Sequence, residues 1–127
     1  KNFKDPLEGI YTICLQLEKS WDEEFFRLGC PLNNLAQEMS PIDEGFRTRI
    51  DNFFQRWKTS IADALKKGQQ QGIVDLAVNV DDSALFILAA IEGSLGLTKS
   101  HQCHTVYSSC SRELKRYMDS LRVSKHA

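Results

Sequence analysis

Apolar side chains recur every three or four residues along most of this chain, and no stretch alternates convincingly with a period of two, so every long segment predicts a helix. The first helix is expected over residues 6–24. Asp5 suits its cap, Pro6 suits the first helical position because its missing N–H needs no partner there, and Glu8 completes a capping box. Leu7, Ile10, Cys14, Leu17 and Trp21 form its apolar stripe. Gly29 interrupts, and residues 30–39 predict a short second helix with Leu32, Leu35, Ala36 and Met39 inward. Ser40 is the expected cap of the third helix and Pro41 its first residue, with Asp43 placed where the helix dipole favours negative charge. Ile42, Phe46, Ile50, Phe53, Phe54, Trp57, Ile61, Ala64 and Leu65 mark one stripe along it, ending near Gln71 and Gly72. Such a helix is a spine of about 45 Å. Gly68, inside its last turns, costs about 1 kcal/mol against alanine.

A connection over residues 73–80 leads to a cap at Asp81 or Asp82 and a fourth helix over residues 83–99. Leu85, Phe86, Ile87, Leu88, Ile91, Leu95 and Leu97 spread around more than one of its faces, while Ala89, Gly93 and Gly96 keep one flank small. A helix apolar on several sides must be covered on several sides, and in so small a domain one cover is expected to be another chain. The fifth helix is expected over residues 105–122, with Tyr107, Cys110, Leu114, Tyr117, Met118 and Leu121 at heptad-like spacing. Residues 123–127 carry no pattern and are expected to fray. The sum is a single all-α domain of five helices, one of them short.

Composition narrows the function. With 127 residues, 42% hydrophobic and 26% charged, the chain has the content of a globular domain and not of a disordered tail. Its most apolar stretch, residues 84–90, falls far short of the roughly 20 residues of a membrane span. No charged segment followed by an apolar run opens the sequence, so no secretion is expected. Sixteen basic and 17 acidic residues give a net charge of −1. Phosphate neutralisation demands a basic excess, so gripping nucleic acid is not the expected activity of these residues by themselves. Cys14, Cys30, Cys103 and Cys110 form no C-x-x-C pair. On one helix face Cys103 and Cys110 would stand about 10.5 Å apart, too far for a disulfide. A reduced cytoplasmic setting follows. No phosphate loop, H-E-x-x-H or G-x-S-x-G motif occurs, so no enzyme and no cofactor are expected.

The run Gly29-Cys30-Pro31-Leu32-Asn33-Asn34-Leu35-Ala36-Gln37-Glu38 resembles the short helix in the C-terminal domain of TetR-family transcriptional regulators. The long helix after it, with Phe46, Ile50, Trp57, Ala64-Leu65 and the exit Gly68-Gln69-Gln70-Gln71-Gly72, continues the resemblance. So does Asp82-Ser83-Ala84 leading into Ile91-Glu92-Gly93-Ser94-Leu95. The features follow one another in family order over most of residues 5–122. The resemblance implies a domain that senses a small hydrophobic or amphipathic effector and forms a homodimer, its last two helices making a four-helix bundle with their twins. It also implies a repressor released from operator DNA by the effector. DNA is bound through an N-terminal helix-turn-helix that these residues do not include, beyond a remnant of the linking helix at Asn2-Phe3-Lys4. A helical adaptor that binds only protein is the alternative, and a small helical enzyme or metal-binding protein a third reading.

Candidate sites follow from both sources. The resemblance assigns the dimer interface to the helices over residues 83–99 and 105–122, with Leu85, Ala89, Gly93, Tyr107, Cys110, Leu114 and Met118 as contacts. It places the effector among the first four helices, where Cys14, Leu17, Trp21, Leu32 and Phe53 are candidate lining residues. Phe54, Trp57, Ile61, Leu88 and Leu95 complete the apolar set, for which plain core packing is the competing reading. Glu92 stands out as a carboxylate in an apolar stretch: it faces a polar cavity or reaches the surface, and it would favour a cationic ligand if it points inward. Cys30 at a helix N-terminus is a possible redox sensor, since that position stabilises a thiolate. His101, Cys103 and His104 are spaced too tightly to share one metal ion, and a solvated loop without metal is expected there.

Overall fold

The structure, a computed structural model, describes residues 4–124. It is all-α, as the periodicity requires, with six helices among the described residues: α1 (Pro6–Ser20), α2 (Glu23–Leu28), α3 (Pro31–Met39), α4 (Glu44–Gln70), α5 (Val80–His101) and α6 (Thr105–Ser120). The expected remnant at Asn2-Phe3 and the last three residues of the tail lie outside the described residues.

The extra helix comes from a break in the first one. The Asp5 carboxylate caps α1 as expected, accepting from the N–H groups of Leu7 and Glu8 at 3.0 and 3.3 Å. The helix stops at Ser20 because Trp21 turns extended and Asp22 starts a new cap, its carboxylate accepting from the Phe25 N–H at 2.8 Å. An aspartate offers the backbone more as a cap than inside a helix, and the break swings Trp21 into an aromatic cluster. There it stacks on Phe25 at 4.5 Å and meets Phe26 and Tyr107 edge-on. Helix α2 ends at Gly29, whose φ of 79° suits glycine and where a Cβ would press on Lys99.

Two further boundaries differ from the periodicity. Ser40, Pro41 and Ile42 form a turn, not the start of the long helix, and Ile42 is 76% exposed. Asp43 is the cap, accepting from the Phe46 N–H at 3.0 Å with its carboxylate at the positive end of the helix dipole. Helix α5 starts earlier than expected, at Val80, with Asn79 accepting from the Asp82 N–H at 3.0 Å.

Helix α5 is the central element, packed by α4 on one side, α6 on another and α2 near its end. The main core gathers Leu7, Leu65, Val74, Ile87, Leu114, Met118 and Leu121. A second, smaller core joins Phe26, Cys30, Leu95 and Tyr107. Gly68 is a packing requirement here: a Cβ on it would stand 2.6 Å from Val74 Cγ2. Val74 is held there by an antiparallel bridge to Arg122, flanked by hydrogen bonds from the Asp75 N–H to the Leu121 carbonyl (2.9 Å) and from the Val123 N–H to the Ile73 carbonyl (3.0 Å). Val123, expected to fray, is therefore tied down. The Arg122 guanidinium adds ion pairs to Asp5 (2.7 Å), Asp119 (3.1 Å) and Glu8 (3.5 Å), so the end of α6 is fastened to the start of α1.

Candidate functional site

The 3.6-residue period of α5 divides it into three flanks. Ala84, Ile87, Leu95 and Thr98 point into the cores and are fully or almost fully buried. Phe86, Ala90, Gly93 and Leu97 share a second flank, next to α6. Leu85, Leu88, Ala89 and Glu92, again at spacings of three and four, share the third. Across from this third flank, Asp51, Phe54, Gln55 and Lys58 repeat the same spacing on α4, and Asn33 reaches in from α3. Between the two rows lies a cleft of about 230 Å³.

Glu92 gives the cleft its chemistry. The residue is 8% exposed, and its Oε2 is fully buried without a hydrogen-bond partner among the described residues. Burial pushes its carboxyl above the usual carboxylate range, and the neighbouring Cys30 thiol offsets this only in part. The Cys30 thiol is pushed up as well, by its own burial and by the charge of Glu92; the backbone N–H groups of Asn33 and Leu32 pull it down but do not prevail. That runs against the thiolate a redox sensor at Cys30 needs. The helix N-terminus acts in the expected direction, yet desolvation is larger, and a buried thiol with a raised pKa is poorly reactive.

The structure brings Phe54, Leu88 and Glu92 together in the cleft and sends the other ligand candidates elsewhere. Cys14 and Ile61 belong to the main core, and Leu95 to the smaller one. Trp21 and Leu32 pack against that smaller core, where the break after Ser20 delivers the indole. Leu17, Phe53 and Trp57 remain partly exposed on α1 and α4. Asn33, Asp51, Gln55 and Lys58 were not anticipated. For Asp51, Gln55 and Lys58 the signal was a polar row on α4 offset from its apolar stripe, which reads as a solvated face until α3 and α5 are placed beside it.

The dimer candidates divide in the same way. Tyr107, Leu114 and Met118 are buried inside the chain, where they complete its own cores. Leu85 and Ala89 border the cleft. Gly93 faces open space and Cys110 is half-buried. Of the heptad-like stripe on α6, Tyr107, Leu114, Met118 and Leu121 are its buried part, against α5 and α1, while Cys110 and Tyr117 are half-buried.

The loop after α5 carries no metal cluster among the described residues: Gln102 closes the helix in the left-handed region, and His101 and His104 are exposed. None of the described helices is long and apolar enough to cross a membrane.

Comparison with known proteins agrees with this architecture. Residues 6–114 match the family model described as transcriptional regulator LmrA/YxaF-like, C-terminal domain. A helix-turn-helix-type regulator of Lactococcus lactis subsp. lactis, from the lacX 3' region, is 32% identical over 109 residues, 85% of this chain and 50% of the relative. The helix-turn-helix-type repressor DhaR of Mycobacterium sp. (strain GP1) is 27% identical over 67 residues, 53% of this chain and 34% of that protein. The chain thus spans half or less of these relatives. Among solved structures, a TetR regulator from Chloroflexus aurantiacus superposes with a TM-score of 0.80 at 22% identity, over 97% of this chain and 63% of that one. The regulatory protein TetR from Rhodobacter sphaeroides gives 0.79 at 23% identity, over 94% and 61%. With its all-α fold and a family match over most of its length, this chain belongs to the TetR-type transcriptional regulators, as a C-terminal domain of the LmrA/YxaF-like group.

Proposed function

We propose that the chain is the effector-sensing and dimerising domain of a TetR-type repressor, and that a small hydrophobic or amphipathic molecule in the cleft between α4 and α5 releases the whole regulator from operator DNA. Glu92 is the observation that carries the sensing half. A buried carboxyl oxygen without a partner, beside an open cleft, is a cost that folding alone does not justify. A ligand supplying the missing partner and covering Phe54, Leu85 and Leu88 removes that cost. The repressor reading draws on the mycobacterial relative that bears this name.

For the dimer, the supporting surface is the second flank of α5 and its continuation on α6. Phe86 and Leu97 are more than half exposed, and Ala90 and Gly93 lie between them. Tyr117, packed on Phe86 at 4.7 Å, and Cys110 and Val106 extend the stripe along α6. Gly93 has nothing near it that a side chain would meet, which leaves room for a second backbone in a two-fold packing. Helix α5 then borders both the cleft and the partner, so a ligand that binds one orientation of α5 better than another shifts the dimer's preferred geometry.

Two measurements test this. Ligands from an amphipathic library should raise the melting temperature, because binding to the native state stabilises it, and Leu88→Trp, which fills the cleft, should abolish the effect. Equal stabilisation of Leu88→Trp would put the site elsewhere. Light scattering after size exclusion should give a dimer for the wild type and a monomer for Leu97→Glu; a monomeric wild type at micromolar concentration would remove the dimer.

A further inference from the structure

We infer that the cleft selects an organic cation, an amine carried on an apolar or aromatic body, with Glu92 as its counter-ion. This rests on the sensing role proposed above and adds the chemical class of the ligand. Three observations support it. Glu92 Oε2 is buried and unpartnered, and none of the ion pairs among the described residues includes Glu92. The rest of its flank, Leu85, Leu88 and Ala89, together with Phe54 opposite, offers an apolar bed for the body of a ligand. The charged groups that share the cleft are Asp51 and Lys58 of α4, so two carboxyl groups meet one ammonium and the site has room for a second cation.

The titratable groups around Glu92 fix what happens to its proton. Cys30, before α3, and Tyr107, on α6, both interact with it, and burial holds both in their neutral forms. Asp51 and Lys58 face it across the cleft from α4. Burial therefore shifts the Glu92 carboxyl toward its protonated form. A ligand ammonium takes the place of that proton: the carboxyl O–H bond breaks, the proton leaves to solvent, and the carboxylate accepts an N–H from the ammonium. Charge balances, with one cation in and one proton out. A neutral isostere binds with no such exchange. Amine affinity accordingly rises with pH through the range in which Glu92 loses its proton.

Calorimetric titration of the chain with 4-phenylbutylamine, 4-phenylbutan-1-ol and 4-phenylbutyrate tests this, run in buffers of different ionisation enthalpy just above the ordinary carboxylate range. The amine is expected to bind roughly ten-fold or more tighter than the alcohol, the scale of a hydrogen bond to a charged group, with the butyrate weakest. Proton release should accompany the amine alone, and Glu92→Gln should erase the amine preference. An alcohol that binds as well as the amine, or a preference unchanged in Glu92→Gln, overturns the cation assignment and leaves ligand sensing standing. Binding of none of the three probes removes both. Should Glu92→Gln fail to fold, the proton count on the wild type decides: amine binding without proton release refutes the exchange.

Discussion

Gly68 supports a prediction whose sign runs against helix propensity. In an exposed helix interior, alanine in place of glycine stabilises by about 1 kcal/mol, because glycine loses more backbone entropy on folding. Here the added Cβ would stand 2.6 Å from Val74 Cγ2 and 3.4 Å from Val74 Cβ. Val74 has no exposed surface and little freedom to yield. Its β-branched side chain has few rotamers, and its backbone is pinned between the Arg122 bridge and the Gly68 carbonyl, which accepts its N–H at 3.1 Å. Overpacking of this kind costs about 1–3 kcal/mol. Gly68→Ala should therefore destabilise by about 0–2 kcal/mol, measured by urea denaturation at unchanged slope. Val74→Ala removes the offending methyl, and in that background Gly68→Ala should turn stabilising, by up to about 1 kcal/mol. A Gly68→Ala protein more stable than the wild type by that amount, with no coupling to Val74, would refute the steric account.

Three further outcomes follow from the electrostatics. Glu92, whose folded pKa is raised, contributes stability below the ordinary glutamate value that is lost as pH rises through its folded value. Melting temperatures of Glu92→Gln should fall less over that window than those of the wild type, and parallel curves would show that Glu92 is ionised throughout. Asp5 is affected first by burial, which raises its pKa, but the Arg122 hydrogen bond, the Glu8 and Leu7 backbone N–H groups and the Arg122 charge together outweigh this and lower it. Its contribution is thus present above the ordinary aspartate value and lost in acid. Arg122→Ala should cost roughly 1 kcal/mol at neutral pH, less at high salt, and a loss independent of salt would point to packing instead. Among the thiols, Cys103 should label fastest, since the Thr105 hydroxyl and backbone lower its pKa at a half-buried position, while burial should make Cys14 and Cys30 slow. Rapid labelling of Cys30 in the folded chain would overturn that order.

What could be read in the residues was whatever depends on near neighbours. Asp5-Pro6 caps α1 wherever the helix lies in the fold, and Gly29 stops α2 through its own φ. The break at Trp21 was hidden because the apolar spacing continues across it, and only the aromatic cluster with Tyr107, far away in sequence, rewards the turn. Periodicity likewise put Leu114 and Met118 on one apolar stripe, but did not show that its cover was α1 and α5 of the same chain. Glu92 was visible as a charge out of place. The polar wall of Asp51, Gln55 and Lys58 was not, because a row of hydrophilic residues looks the same whether it meets bulk water or borders a cleft.

The clamp around Arg122 has a topological consequence. Asp5 and Arg122, 117 positions apart, are held 2.7 Å from each other, so the described chain is nearly a closed ring. Closing so long a loop costs only logarithmically in its length, about 0.6 kcal/mol for each doubling. The order in which the helices are strung is then a weak constraint on the fold. Beginning the chain instead in the exposed turn at Pro41 and Ile42, with the two ends of the described segment joined by a short linker, would keep every helix whole and both cores intact.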